Sequence, residues 1–118
     1  MGEKSGVDLI NEAKAKIREV SARDAVANPE PGTIYFDCRE PNEYALGHIP
    51  GAVFIPRGNL ETKVEAVIPR DRKVVIYCAT GNRSALAADT MQQMGYKDVA
   101  SMSGGFRDWV NAGGEVES

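Results

Sequence analysis

Cys78 opens a segment whose residue types suit the binding and reaction of small anions. It ends the strongest strand-like run of the chain, residues 73–78, and a short polar loop follows it: Ala79, Thr80, Gly81, Asn82, Arg83 and Ser84. Gly81 and Asn82 tolerate left-handed backbone geometry, so the loop can curl and direct successive N–H groups inward. A helix that begins at Ser84 would add unpaired N–H donors and the positive end of its dipole.

A thiolate in such a loop would be a nucleophile at neutral pH. The N–H groups and the positive charge of Arg83 would lower the pKa of Cys78 from about 8.5 towards the range of about 3.5–7.5 found for activated cysteines. The alternatives are that Cys78 is a buried, inert thiol and that Arg83 only forms a surface salt bridge. The loop and the helix after it favour the reactive thiolate.

The rest of the chain predicts a sheet that would position this loop. Strand patterns cover residues 33–37, 51–55, 73–78 and 99–102. Helix patterns cover residues 7–20, 22–27 with Ser21 as its N-cap, 42–46, 60–67, 84–94 and a last segment from Gly104 through Trp109, with Val20 also a candidate to open a strand. Alternating strands and helices are typical of an α/β domain with a mostly parallel sheet covered on both faces. Ligands in such sheets bind at the carboxyl ends of the strands, where Cys78 stands.

Composition excludes several classes of protein. The 118 residues are 42% hydrophobic and 26% charged, which is typical of one ordered domain. The net charge of −3 makes nucleic-acid binding through a broad basic face improbable. We find no apolar run long enough for a membrane span and no signal-peptide pattern, so we expect a cytoplasmic protein. The spacing of Cys38, His48 and Cys78 is not that of a zinc site, and we expect no metal.

Three segments of the chain together carry a resemblance to a known family. The first is Asp37-Cys38-Arg39-Glu40 with Glu43-Tyr44 and Gly47-His48-Ile49-Pro50-Gly51-Ala52, the second is residues 78–84, and the third is Gly104-Gly105-Phe106 with Trp109 and Gly113-Gly114. In this order and spacing they resemble the signatures of the rhodanese family, from about residue 20 to the end of the sequence.

The resemblance implies both a fold and an activity. The fold would be a rhodanese-like three-layer α/β domain over residues 20–118, with a five-stranded parallel sheet flanked by helices and with residues 1–19 as an N-terminal helical extension. Cys78 would take a sulfane sulfur from thiosulfate or another persulfide donor, hold it as a persulfide in the loop of residues 79–84, and pass it to cyanide or a thiol. Sulfite would leave, and no metal or organic cofactor would take part.

The length of the loop separates this activity from a related one. Only four residues, Ala79 to Asn82, lie between Cys78 and Arg83. Cysteine-dependent phosphatases similar to this family have one residue more, which makes a ring that fits a tetrahedral phosphate. The smaller ring here favours a sulfur atom, so we expect no phosphatase activity.

The resemblance also suggests roles for residues around the loop. Asp37 would brace the end of its strand and His48 the turn that follows. A catalytic triad of these two with Cys78 is not needed, because the loop already activates the thiolate. Four-residue spacing predicts that Arg39 pairs with Glu43. Trp109 and Phe106 lie at helical spacing, which indicates core packing.

Two departures from the family pattern leave questions open. Cys38 stands where the family usually has Val or Ile, so it is either a small buried hydrophobic residue or a resolving thiol for Cys78. Two-domain thiosulfate enzymes of the family carry basic residues where Thr80 and Glu43 stand, so the pocket here would be less positive.

Three interpretations of the function therefore remain. The protein is a thiosulfate:cyanide-type enzyme, a carrier that delivers sulfur to a partner protein, or a catalytically silent domain. The intact Cys78 loop argues against the third.

Overall fold

A computed structural model describes residues 2–118 and contains one five-stranded sheet. The strands, in chain order, are β1 Arg18–Ser21, β2 Ile34–Asp37, β3 Val53–Phe54, β4 Val74–Tyr77 and β5 Val99–Ser103. They lie in the order β1-β5-β4-β2-β3, and every neighbouring pair is parallel. The expected five-stranded parallel sheet is thereby confirmed.

Within residues 2–118, six α-helices precede, connect or follow the strands. They are α1 Gly6–Lys16, α2 Ala22–Ala27, α3 Pro41–Leu46, α4 Leu60–Val67, α5 Asn82–Gln93 and α6 Gly105–Asn111, and a 3₁₀ turn, Arg57–Asn59, precedes α4. Ser21 caps α2 as predicted, because its Oγ accepts a hydrogen bond of 3.0 Å from the Asp24 N–H. None of the helices in residues 2–118 has both the length and the apolar character that crossing a membrane requires.

The helices cover both faces of the sheet and create two apolar clusters. Along β4, Val74 and Ile76 pack against α4 and α5, whereas Val75 and Tyr77 belong to the cluster formed with α2 and α6. This is the alternation of a strand that is buried on both sides. Cys78 continues it and lies on the α5 side. The result is the expected three-layer architecture.

The predicted helix over residues 7–20 is too long. α1 ends at Lys16, Ile17 has extended backbone (φ −116°, ψ 165°), and residues 18–21 pair with β5. The apolar spacing continues through Val20, but hydrogen bonding to a neighbouring strand is available there and prevails over the helical pattern. α1 packs on α5 with Ala13 buried. The division into a 1–19 extension and a 20–118 domain stays a prediction.

Candidate active site

The sulfur of Cys78 lies in a cradle of hydrogen-bond donors at the carboxyl end of β4. The Gly81 N–H donates to Sγ at 3.1 Å and the Ser84 N–H donates at 3.3 Å. The Ser84 hydroxyl lies 3.4 Å from the same sulfur. Cys78 is 1% exposed, while Thr80 and Asn82 are exposed, so the cradle lies just below the surface.

The cradle favours the thiolate over the thiol. Burial acts to raise the pKa of Cys78, but the Ser84 hydroxyl and the N–H groups of Ser84, Gly81 and Thr80 act in the opposite direction and prevail. The pKa of Cys78 is therefore held below its ordinary value. Donors that converge on a charged sulfur stabilise it more than they stabilise a neutral one, which gives the shift its sign.

Two glycines allow the loop to close around the sulfur. Gly81 has φ +107°, a backbone conformation that residues with side chains rarely adopt. It is the N-cap of α5, which begins at Asn82, two residues before the predicted start at Ser84. Gly105 lies so close to the loop that a Cβ there would be 2.5 Å from the Ala79 carbonyl carbon. This approach lets the Phe106 N–H donate to the Cys78 carbonyl at 2.8 Å. The third signature segment thus supports the loop backbone, a contact that sequence spacing alone does not indicate.

Ser101 supports the cradle from β5. Its Oγ lies 2.8 Å from the Ser84 Oγ, and both serines are completely buried. Sequence reasoning did not single out Ser101. The one feature that could have indicated its role is that it is the polar residue within the predicted apolar strand over residues 99–102. The pair fixes the Ser84 hydroxyl beside the sulfur and satisfies two buried hydroxyl groups at once.

Arg83 forms an ion pair with Glu43, which agrees with the alternative of a salt bridge but has a partner that the sequence did not indicate. Its guanidinium binds both oxygens of Glu43, at 2.7 Å and 2.9 Å. The predicted pairing of Arg39 with Glu43 is wrong, because α3 begins at Pro41 and four-residue spacing across its start does not bring the two side chains together. Arg83 is therefore close to the cradle, but its charge is balanced by a carboxylate.

Comparison with known proteins identifies the family. A family model described as the rhodanese-like domain matches residues 21–112. The chain belongs to the rhodanese-like family. Thiosulfate sulfurtransferase GlpE of Pseudomonas fluorescens is 32% identical over 95 residues, which are 80% of this chain and 86% of that relative.

The chain is also similar to a proposed sulfur carrier and to a solved structure of a protein of unknown function. YrkF of Bacillus subtilis, a proposed sulfur carrier protein, is 42% identical over 74 residues, or 63% of this chain, and this match spans only 40% of the length of YrkF. The structure of RPA3614 from Rhodopseudomonas palustris, described as a protein of unknown function and possible tyrosine phosphatase, has a TM-score of 0.88. It is 37% identical, and the match covers 99% of this chain and 97% of that one.

Asp37 and Arg39 form a buried pair at the end of β2, next to the rhodanese-like loop. The Arg39 guanidinium binds Asp37 at 2.7 Å and the Gly47 carbonyl at 2.7 Å, and it lies 4.4 Å from the centre of the Phe106 ring. It therefore ties the strand end to the end of α3 and to α6. This geometry agrees with a bracing role for Asp37 and gives Arg39 the same role.

His48 is bound within its own turn and to the C-terminal segment. Its Nδ1 lies 3.0 Å from the Tyr44 carbonyl, its ring stacks on Tyr44, and its backbone forms an antiparallel bridge with Glu117. Within residues 2–118 neither His48 nor Asp37 forms a hydrogen bond to Cys78. In the same part of the chain, no three His, Cys, Asp or Glu side chains cluster closely enough to hold a metal ion.

Trp109 packs in the core of the domain, as its spacing with Phe106 predicted. It is 7% exposed, meets Tyr35 edge to face, and belongs to the cluster that includes Phe106. Its Nε1 donates to the Glu115 carbonyl at 2.8 Å, which satisfies the only polar atom of the side chain.

Proposed function

We propose that this protein is a sulfurtransferase that carries a sulfane sulfur as a persulfide on Cys78. The observation that carries the proposal is the convergence of the Gly81 and Ser84 N–H groups and the Ser84 hydroxyl on one sulfur whose pKa is lowered. The same donors suit a persulfide, because it too is a sulfur anion. The thiosulfate sulfurtransferase among its relatives supports this reaction class.

The reaction would proceed in two displacement steps. The Cys78 thiolate attacks the outer sulfur of thiosulfate, an S–S bond forms to Cys78, the S–S bond of thiosulfate breaks, and sulfite leaves with the electron pair. Cyanide or a thiolate then attacks the outer sulfur of the persulfide, and the Cys78 thiolate leaves. Sulfur is the only atom transferred, so the steps need no metal, external oxidant or organic cofactor. A reducing compartment such as the cytoplasm would keep the thiol available.

Delivery of the sulfur to a partner protein is the alternative outcome of the same chemistry. The resemblance to YrkF, a proposed sulfur carrier, favours it, and the exposed rim residues Thr80 and Asn82 leave the persulfide close to the surface. Efficient transfer from a cysteine desulfurase together with weak thiosulfate turnover would favour the carrier. Robust thiosulfate:cyanide turnover would favour the enzyme.

Phosphatase activity, suggested by the description of RPA3614, is disfavoured by the loop. Four residues separate Cys78 from Arg83, and the N–H groups of Gly81 and Ser84 donate to the cysteine sulfur itself. We expect no hydrolysis of p-nitrophenyl phosphate above the level of the Cys78→Ser variant.

The decisive experiment follows sulfur on the protein. The wild type and Cys78→Ser are incubated with thiosulfate, analysed by intact mass spectrometry, and assayed for thiocyanate after cyanide is added. We expect the wild type to gain one sulfur atom, about 32 Da, and to form thiocyanate, and the variant to do neither. A wild type that gains no sulfur, or a variant that retains turnover, would overturn the proposal.

A further inference from the structure

The ion pair between Glu43 and Arg83 lies at the rim of the cradle, where a sulfur donor must approach. Arg83 is the cation of the loop that follows Cys78, and both of its terminal nitrogens bind the Glu43 carboxylate. The side chains are 29% exposed for Glu43 and 37% exposed for Arg83, so the pair faces solvent in part. Arg57, whose charge also reaches the neighbouring Cys38, is paired with Glu61 through one of its terminal nitrogens.

Local backbone structure fixes Glu43 in this position. It is the third residue of α3, and its carboxylate accepts a 3.0 Å hydrogen bond from the Glu40 N–H in a capping box. The same oxygen binds Arg83, so one rigid helix start holds the carboxylate over the loop. Arg83 and these contacts lower the pKa of Glu43 to about 2, which keeps it ionised under any working condition.

We propose that Glu43 is a specificity-determining residue that selects sulfur donors by charge, favouring singly charged or neutral sulfane-sulfur compounds over the thiosulfate dianion. The proposal rests on the sulfurtransferase function proposed above. Since Glu43 balances Arg83, the rim offers no net positive charge to a donor. A dianion that approaches the Cys78 thiolate then meets repulsion that increases with its own charge.

Two donors with the same chemistry but different charges test this inference. Thiosulfate carries two negative charges, while methanethiosulfonate has a methyl group in place of one charged oxygen and carries one. In both, the Cys78 thiolate forms a new S–S bond with the outer sulfur and the S–S bond of the donor breaks. The electron pair leaves with sulfite in the first case and with methanesulfinate in the second.

The variant Glu43→Gln removes the charge and keeps the shape. Glutamine retains an oxygen for the Glu40 N–H, and Gln is as good as Glu at this capping position. We expect kcat/KM for thiosulfate to rise about tenfold and that for methanethiosulfonate about threefold, because the logarithm of the effect scales with donor charge. Glu61→Gln is the matched control, since it removes a carboxylate from an equivalent surface ion pair, and it should change neither value by more than about twofold.

The outcomes separate the two proposals. Equal changes for both donors, or none, would overturn the role of Glu43 while leaving sulfur transfer intact, whereas a wild type that gains sulfur from neither donor would overturn both. A second measurement on the wild type avoids dependence on a variant that folds poorly. Added salt screens the repulsion, so the preference for methanethiosulfonate over thiosulfate should decrease as ionic strength rises, and a constant preference would contradict the proposal.

Discussion

The ends of β2 and β4 place two cysteines side by side in very different chemical surroundings. Asp37 and Tyr77 are paired in register, so Cys38 and Cys78 are the next residues of two neighbouring parallel strands. Both are free thiols in the same apolar cluster, 0% and 1% exposed. Yet the pKa of Cys78 is lowered, whereas burial strongly raises that of Cys38. Neither burial nor a strand end therefore makes a cysteine reactive.

The residues that follow each cysteine cause the difference. After Cys78 the chain curls and returns N–H groups to the sulfur. After Cys38 it continues through Arg39 and Glu40 into a helix that begins with Pro41, and the Cys38 thiol itself donates to the Tyr77 carbonyl at 3.5 Å. The Cys78 sulfur accepts hydrogen bonds from two backbone N–H groups, whereas the Cys38 thiol donates to a backbone carbonyl. This difference stabilises a thiolate at the first position and a thiol at the second.

Replacement of each cysteine in turn by serine should give the largest difference in alkylation rate. With iodoacetamide at neutral pH, Cys38→Ser should be alkylated once at the wild-type rate, while Cys78→Ser should react at least about a hundredfold more slowly, because only a thiolate attacks. Mass spectrometry of the alkylated protein measures both rates. Fast labelling of Cys78→Ser would show that Cys38 is also a thiolate. A slow rate for Cys38→Ser would show that the two thiols act together, as a resolving cysteine requires.

Substitution of Gly81 should make Cys78 less reactive and thus more similar to Cys38. An alanine Cβ would lie 3.3 Å from the Met102 carbonyl at φ +107°, so the loop must shift and its N–H groups must leave the sulfur. We expect Gly81→Ala to lower the alkylation rate of Cys78 at least about tenfold at neutral pH.

Gly32→Ala is the matched control for backbone strain. Gly32 has φ +85° with no atom within 4 Å of the added Cβ, so it bears similar strain away from the site. The melting temperature of Gly32→Ala should fall in the same way as that of Gly81→Ala, but the alkylation rate of Cys78 should not fall. An equal loss of reactivity in both variants would mean that general destabilisation, not the cradle, explains the result.

Ser84→Ala is the next smaller perturbation, because it removes one donor and leaves the backbone unchanged. The Ser84 hydroxyl lowers the pKa of Cys78, so its loss should move the midpoint of the alkylation rate against pH upwards. At pH values below that midpoint the rate should fall about three- to tenfold. Ser101 is bonded to the Ser84 hydroxyl, one step further from the sulfur, so Ser101→Ala should shift the midpoint less. A downward shift in Ser84→Ala would contradict the cradle.

The sequence predicted four of the five strands well, because a strand pattern depends on neighbouring residues, whereas most of β1 lay within the predicted helix over residues 7–20. Residues 73–78 and 33–37 are continuous apolar runs, and the structure ends each strand within one or two residues of the predicted limits. The contacts of Ser101 and Gly105 with the loop were missed, and Glu43 was placed at the pocket without its pairing to Arg83. Each meets the loop across more than ten residues of chain, where local spacing carries no signal. Arg39 was matched with Glu43 because helical spacing was applied to it, whereas it lies in an extended segment before α3 and binds Asp37, two residues away.

The smallest expected effect concerns Arg83, to which sequence reasoning gave a large part of the activation. Its charge acts on both cysteines with the same sign: it lowers the pKa of Cys38, and Cys78 raises the pKa of Arg83 in return. It cannot therefore explain why the two thiols differ. Arg83→Gln alone would leave Glu43 unpaired beside the sulfur and should raise the pKa of Cys78.

The double variant Glu43→Gln/Arg83→Gln removes both charges and keeps the local net charge constant. If the N–H groups and the Ser84 hydroxyl activate Cys78, this variant should react with iodoacetamide within about twofold of the wild type, since a balanced and partly exposed ion pair contributes little. Iodoacetamide is neutral, so selection by donor charge does not enter the measurement. A loss as large as that of Ser84→Ala would mean that Arg83 activates the thiolate directly. A rate close to the wild type would assign the difference between Cys78 and Cys38 to the loop alone.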